Sequence, residues 1–319
     1  MKKNLKTNLI WLAIIAVVYA ILSALIVAGI INAFVAQIIT QIGINLIVAV
    51  GLNLVIGFTG QFSFGSAGFM AIGAYTSAIV TARMAPTWGT IFLSMLIGAI
   101  IAGIVAVIVG YPTLRLKGDY LAIATLGVSE IIRILIMNGG DLTNGAAGLS
   151  GIILFTAWRM TFIFAVVIII LILNFINSPS GRATLSVRED EIASESMGVN
   201  VTRVKVIAFT LGAMVTAIAG SLYAGFIGTV TPKDFTWMKS VDALIIVVLG
   251  GLGSITGTVI AAIILGLLNM FLQDFGAIRM IIYSLVLILV MIFRPGGLLG
   301  TWEFKISRFF NKKENKEAK

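Results

Sequence analysis

Long apolar runs separated by short polar stretches dominate this chain. Ten apolar segments can be marked, at residues 9–31, 36–57, 64–82, 90–111, 119–138, 160–177, 207–229, 240–250, 257–273 and 277–293. Several of them approach or exceed the roughly 18–20 residues that a helix needs to cross a bilayer. The third segment is weaker because it is rich in Gly and Ser, and the eighth because it is short. The pattern predicts an all-α, polytopic helical membrane protein of about ten transmembrane helices with Gly-rich broken or re-entrant segments.

Composition agrees with a membrane protein and excludes several other classes. The chain has 319 residues, of which 59% are hydrophobic and 11% charged, whereas soluble domains have roughly 25% charged residues. The net charge of +9 does not indicate nucleic-acid binding, because the basic residues lie at the ends and in short loops, as membrane topology requires. The absence of Cys and His removes thiolate and imidazole chemistry, and the GxxxxGK[ST] phosphate loop is missing. We therefore expect no catalytic, cofactor-binding or metal-binding residues, and no enzyme.

Lys and Arg positions set the expected topology. The first apolar run continues over residues 9–31, longer than a signal-peptide core, which favours a retained first span. Splitting the stretch 240–273 at "GGLGSITG" gives ten crossings, with both termini cytoplasmic and sixteen of the 22 Lys and Arg inside, in line with the positive-inside rule. Eight or nine crossings with re-entrant pieces remain the competing arrangement. We expect a transmembrane domain at 1–302 and a basic cytoplasmic tail at 303–319, close to anionic lipid headgroups.

The stretch "GFTGQFSFGSAGFMAIGAYTSAIV", residues 57–80, is unusually polar and Gly-rich for a membrane span. Small residues allow helices to pack closely, which is one interpretation. The other is a broken or re-entrant element whose freed backbone groups line a water-filled path. On the second interpretation, the candidate path residues of this stretch are Gln61, Ser63, Gly65, Ser66, Gly68 and Tyr75.

Four further polar residues lie in apolar segments. Asn45 and Asn53 are eight residues apart and therefore share one helix face, where they contact either a solute or a neighbouring helix. Glu130 and Arg133 are three residues apart on another helix, and they either neutralise each other or act in gating or coupling. A second Gly-interrupted stretch at 247–266 resembles the first in texture, and two such stretches are typical of internally repeated transporter folds.

One charged island interrupts the apolar chain at residues 182–206. Four of the thirteen acidic residues fall within seven positions there. Ser186 and Glu189 have the spacing of a capping box, which predicts the start of a short helix, or of two, on the cytoplasmic face. Gly198 and Asn200 would end it, and Thr202 would cap the helix that leads into the next span. The island is either a solvated loop helix or a docking element.

The island resembles the cytoplasmic coupling loop of ABC-transporter permeases, specifically the branched-chain amino-acid permeases of the LivM type. Further stretches that resemble this family, in order from about residue 40 to 300, are "GQFSFGSAGFMAIGAY", "LRLKGDYLAIATLG", "TNGAAGLSGI", "MKSVDALIIVVLGGLGSITG" and "FRPGGLLG". The generic permease pattern is Glu-Ala-Ala, three residues, Gly. Only Ala193 and Gly198 match it, while Glu191 matches an acid that this family has one place earlier.

The resemblance implies a membrane subunit of an importer in the cell (inner) membrane. Its partners would be a homologous second permease, two cytoplasmic ATPases that hydrolyse the ATP, and an extracytoplasmic binding protein that delivers leucine, isoleucine or valine. The residues implied in ATPase coupling are Arg188, Glu189, Asp190, Glu191, Ile192, Ala193, Ser194, Glu195, Met197 and Gly198. The apolar ones would make contact with the ATPase and the charged ones would orient it.

Two alternatives stay open. A permease of the same superfamily could carry urea, another amide or a sugar. A secondary transporter driven by an ion gradient would need an intramembrane acid as its ion site, for which Glu130 is the strongest candidate. The charged island favours the ABC permease, because only that class needs a docking helix there.

Overall fold

A computed structural model describes residues 2–84, 87–116 and 118–272, together with residues 275, 281–282, 284–285, 288, 292–293, 296–300 and 303. These residues form a mainly helical structure. The α-helices of the described residues are α1 (Lys2–Val27), α2 (Ala33–Thr59), α3 (Ser66–Arg83), α4 (Trp88–Thr113), α5 (Asp119–Met137), α6 (Trp158–Asn177), α7 (Pro179–Glu189), α8 (Glu191–Ser196), α9 (Val201–Ile227), α10 (Trp237–Gly250) and α11 (Ile255–Phe271).

Nine of the ten apolar segments predicted from the sequence coincide with a helix, and the tenth, 277–293, lies mostly outside the described residues. By length and composition, helices α2, α4, α5, α6 and α9 can each cross a membrane. The pair α10 and α11 adds a sixth candidate, bent by 118° at residues 251–254, where the break at "GGLGSITG" was predicted. The protein is therefore an all-α, multi-pass membrane protein.

Helix α9 lies at the centre and packs against α2, α3 and α4. Glycines make these contacts possible. A Cβ at Gly73 of α3 would lie 1.8 Å from the carbonyl oxygen of Ala217, and one at Gly220 of α9 would lie 1.9 Å from that of Met70. Small residues at such crossings let the backbones of two helices touch. Close packing therefore explains part of the Gly-rich stretch at 57–80.

The same stretch also contains a real break. Residues 60–65, which we call the irregular segment, belong to no helix or strand. Side chains from other helices bind its backbone: the N–H of Phe64 donates to Thr125 Oγ1 of α5 (3.0 Å), and Ser240 Oγ of α10 donates to the Phe64 carbonyl (2.7 Å). Irregular backbone at membrane depth requires such internal partners. Close packing thus explains one part of the stretch and a break in the helix another, while a water-filled path along the break stays a prediction.

The connections α5–α6 and α9–α10 meet at one end of the bundle. Strand β1 (Leu149–Ser150) pairs in antiparallel fashion with β2 (Thr229–Val230). Gly148 is required at the crossing, because its φ is +74° and a Cβ would lie 2.1 Å from the Val230 carbonyl oxygen. The polar loop at 138–152 is therefore an ordered cap in this structure.

Candidate coupling surface and translocation residues

The charged island folds as two short helices between α6 and α9. Ser178 caps α7, accepting a hydrogen bond from the N–H of Gly181 (3.2 Å), and Pro179 occupies the first turn, where its missing N–H costs nothing. The predicted capping box is wrong, because Ser186 and Glu189 both lie inside α7. The cap of α8 is Asp190.

The end of the island follows the sequence prediction in part. Gly198, with a φ of +85°, donates its N–H to the Glu195 carbonyl (2.9 Å) just after α8, as a helix-terminating glycine does. Asn200 begins a helix rather than ending one. Its Oδ1 accepts from the N–H of Arg203 (2.9 Å), so it caps α9, and the predicted cap Thr202 lies inside that helix.

Helix α8 presents apolar side chains to solvent. Ile192 is 75% exposed and Met197 85% exposed, and Ala193 beside them is exposed as well; we call these three residues the docking surface. The predicted coupling residues Glu189, Asp190, Glu195 and Gly198 are also exposed. Ile192 lies on the six-residue helix α8 and Met197 directly follows it, so the two exposed apolar side chains lie close together among acidic residues.

Three of the predicted coupling residues turn inward instead. Arg188 Nη1 donates to the backbone carbonyl of Gly57 at the end of α2 (2.7 Å). Glu191 forms an ion pair with Lys205 of α9, whose side chain is only 6% exposed. Ser194 is buried. These residues attach the loop to the membrane helices, while the docking surface stays free on the outside.

Asn53, one of the two predicted path residues of α2, is fully buried. Its amide holds the break between α10 and α11: Nδ2 donates to the carbonyl of Ser254 (3.0 Å) and to Thr258 Oγ1 (2.7 Å), and Oδ1 accepts from the N–H of Gly253 (3.0 Å). These bonds fit the neighbouring-helix interpretation of Asn53. Asn45 is half-buried two turns earlier.

Two of the candidate path residues, Ser63 of the irregular segment and Ser66 of α3, line a small cavity. The cavity holds about 10 Å³ and is lined by Ser63, Ser66, Phe69, Phe209, Gly212 and Thr216 among others, which is room for about one water. Gln61 is 2% exposed, and within the described residues neither its amide atoms nor Ser66 Oγ has a hydrogen-bond partner. Gly65 precedes the first turn of α3.

The other predicted path residues are spread over the bundle. Tyr75 is buried, and its hydroxyl is 3.4 Å from the Val230 carbonyl oxygen of β2. Glu130 and Arg133 form a half-buried pair on α5, with Nε 2.8 Å from Oε2. A Cβ at Gly68 would lie 2.8 Å from the Cα of Ser129, so this glycine packs α3 against α5. The ten residues thus do not share one surface.

Two charged residues that the candidate site had not included lie near the start of α10. Asp242 is exposed on α10, one turn after Lys239 of the same, mainly apolar helix. The ammonium of Lys239 is 5.6 Å from the ring centre of Tyr223. An exposed carboxylate on such a helix is expensive in contact with lipid and indicates a protein or water neighbour.

Ser254 and Glu303, which were not predicted as functional residues, close the break at 251–254. Ser254 caps α11, accepting from the N–H of Gly257 (2.9 Å). The carboxylate of Glu303 accepts from Thr256 Oγ1 (2.7 Å) and from the backbone N–H of Ile255. Ser254 was detectable in principle, since Ser directly before an apolar run is a helix-start signal. Glu303, 48 positions from Ile255, had no such signal.

Comparison with known proteins gives a consistent assignment. Residues 34–294 match the family described as branched-chain amino acid transport system / permease component. The chain is 36% identical over 278 residues to the high-affinity branched-chain amino acid transport system permease protein LivM of Salmonella typhimurium and 37% identical over 278 residues to that of Escherichia coli K12; both alignments cover 76% of this chain and 64% of the relative. The corresponding protein LivH of Salmonella typhimurium is 28% identical over 276 residues, 76% of this chain and 87% of LivH.

The chain thus spans about two thirds of the length of these LivM relatives, 64% by the alignments. No solved structure gives a significant match to it. The family match covers most of the chain, including α2 to α11 and both Gly-rich stretches. The chain therefore belongs to the family of branched-chain amino acid transport system permease components.

Proposed function

We propose that this protein is a permease subunit of an ATP-binding-cassette importer for leucine, isoleucine and valine. The observation that carries the proposal is the family match over residues 34–294. Support comes from the two LivM relatives, whose names describe high-affinity branched-chain amino acid transport. The subunit itself would carry out no chemical step, since ATP hydrolysis would take place on partner chains.

The docking surface is the proposed contact with those ATPases. Residues 188–199 would insert into a groove of a cytoplasmic ATPase, with Ile192 and Met197 as apolar anchors. Their exposure of 75% and 85% supports this role, because burying such a side chain contributes roughly 1.5–3 kcal/mol. The exposed acids Glu189, Asp190 and Glu195 would orient the encounter more than they strengthen it.

A second, homologous permease would complete the pathway. Helix α5 supports this proposal, because only 28% of its most apolar window is buried within the chain although it carries the Glu130–Arg133 pair. The half-buried Glu130 and Arg133 would then face the interface between the two permeases.

We propose ten crossings with both termini cytoplasmic, a transmembrane domain at 1–302 and a basic tail at 303–319. The irregular segment and α3 would together form one crossing, and α10 and α11 would form two crossings joined at 251–254. The bond from Arg188 to Gly57 supports this topology, because it joins the end of α2 to the cytoplasmic loop. An extracytoplasmic binding protein would deliver the amino acid at the opposite end, where β1 and β2 cap the bundle.

Leucine uptake into vesicles tests the proposed function. The subunit would be reconstituted into vesicles with the partner permease, the ATPases and the binding protein. Uptake would be measured with ATP on the side of the membrane that carries the ATPases. The double variant Ile192→Glu with Met197→Glu should release the ATPases and abolish uptake, while Ser196→Glu, exposed on the same helix, should change little. Uptake that is unaffected by the double variant would refute the docking surface.

The ion-coupled alternative is separated by the same vesicles. If an ion gradient alone drives uptake, and Glu130→Gln abolishes it, the protein is a secondary transporter. If urea, another amide or a sugar is taken up in place of leucine, the ABC mechanism stands with a different solute.

A further inference from the structure

Arg188 connects the cytoplasmic loop to the last turn of α2. Its Nη1 donates to the Gly57 carbonyl at 2.7 Å. That carbonyl lacks the usual helical partner, because the N–H of Gln61 donates to Val55 instead (3.3 Å). Helix ends leave such carbonyls unpaired and carry partial negative charge, so a guanidinium is well suited to this position.

The break between α10 and α11 is packed against the same bond. Gly253 has a φ of +83°, and a Cβ there would lie 2.5 Å from Arg188 Nη1 and 2.9 Å from the Gly57 carbonyl oxygen. Any side chain at this position would push the guanidinium away. Arg188 thus contacts both the end of α2 and the turn at which the chain reverses direction.

Hydrogen bonds continue from this contact into α11. The N–H of Gly253 donates to Asn53 Oδ1, and Asn53 Nδ2 in turn donates to Ser254 and Thr258. Arg188 lies in the last turn of α7, which ends at Glu189. Only Asp190, the cap of α8, lies between the end of α7 and the start of α8. The guanidinium of Arg188 therefore connects the loop that carries the docking surface with the turn at 251–254.

We propose that Arg188 is a positioning residue that transmits movement of the α7–α8 loop to the break between α10 and α11. The proposal rests on the proposed function, since it assumes that partner ATPases move this loop. A displaced α8 pulls Arg188, and Arg188 carries the end of α2 and the turn at Gly253 with it. The planar guanidinium is suited to this task because its fork of donors fixes direction as well as distance, which a Lys ammonium does not.

Arg182 provides a matched control on the same helix. Its Nη1 donates to the backbone carbonyl of Asn177 at 2.9 Å, so it too binds the end of a helix, but it lies away from the break. In reconstituted complexes, the variant Arg188→Gln tests the contact with Gly57 and Gly253. Uptake, and stimulation of hydrolysis by leucine-loaded binding protein, should fall about tenfold or more, since a charge-assisted hydrogen bond is lost. Arg182→Gln should stay close to wild type, and Arg188→Lys should restore part of the coupling.

The outcomes separate this inference from the proposed function. If Arg188→Gln transports as well as Arg182→Gln, the inference is wrong while the importer remains. If the wild-type complex shows no ATP-driven uptake, the proposed function itself fails.

A distance measurement decides the case in which Arg188→Gln does not assemble. The chain has no native Cys, so spin labels can be attached at Ser196→Cys and at Leu252→Cys, both exposed positions, with Arg188 intact. Double electron–electron resonance should give the same distance between the two labels in nucleotide-free and ATP-bound complexes, because the α7–α8 loop and the break at 251–254 move together. A distance that changes between the two states overturns the inference.

Discussion

Replacing Asn53 by Ala should destabilise the turn between α10 and α11. The substitution removes the two bonds donated by Nδ2 and the one accepted by Oδ1. The Ser254 carbonyl keeps a partner, because Thr258 Oγ1 also donates to it (2.8 Å). The N–H of Gly253 is the group that loses its bond in a buried environment.

Two estimates bound the cost. A hydrogen bond between membrane helices contributes about 0.6 kcal/mol on average, so three of them give about 2 kcal/mol. A buried N–H left without a partner costs about 1–3 kcal/mol. Because these terms overlap, we expect Asn53→Ala to lower the free energy of unfolding by about 2–3 kcal/mol.

Equilibrium unfolding of the purified subunit in mixed micelles, titrated with a denaturing detergent, measures this change. Asn45→Ala is the matched control, because Asn45 lies two turns earlier on the same helix, is half-buried and does not hold the break. We expect it to cost no more than about 0.5 kcal/mol. Equal losses for the two variants would refute the reasoning, and would mean that other contacts hold the turn closed.

Two further predictions concern the same region. Gly253→Ala should lower stability more, and uncouple transport more, than Gly198→Ala. The φ values of the two glycines are similar, +83° and +85°. Only at Gly253 does the new Cβ meet Arg188, 2.5 Å from Nη1. Strain alone costs about 1–3 kcal/mol at each position, and thermal unfolding should separate the two; equal losses would contradict the packing argument. Glu191→Gln should destabilise the subunit more than Lys205→Met. The first variant removes the ion-pair partner of the buried Lys205 ammonium, whereas the second leaves a carboxylate that is 36% exposed. A buried charge that loses its partner costs more than an exposed one. The double variant should regain stability over Glu191→Gln, and a failure to do so would contradict the pairing.

The helices were predictable where burial in a membrane alone determines them. Apolar runs of sufficient length fix the position of a span, and α4 and α6 begin and end within two residues of the predicted segments. Helix α7 was not seen to begin at Pro179, because a polar surface helix carries no such run. Its start depends on the local cap at Ser178.

The candidate site was predictable only on its exposed side. Ile192 and Met197 stand out in a polar loop, and the structure leaves both exposed. The inward contacts were not predictable, because the partner of Arg188 is 131 positions away in the sequence. For Asn53 the sequence indicated that a buried amide needs a partner, but which helix supplies it is a tertiary fact.

The irregular segment has a consequence for how the protein is made. The partners of the Phe64 backbone lie 61 and 176 residues further along the chain, at Thr125 and Ser240. A nascent chain that has entered the membrane only as far as α9 therefore has no hydroxyl from Ser240 for the Phe64 carbonyl, and an unpaired carbonyl costs several kcal/mol in lipid. Residues 60–65 can therefore form all their hydrogen bonds only after α10 has been synthesised and has packed against them. The helix that leads into the second Gly-rich stretch thus completes the folding of the first. An early part of the chain therefore stays incompletely folded until late in synthesis.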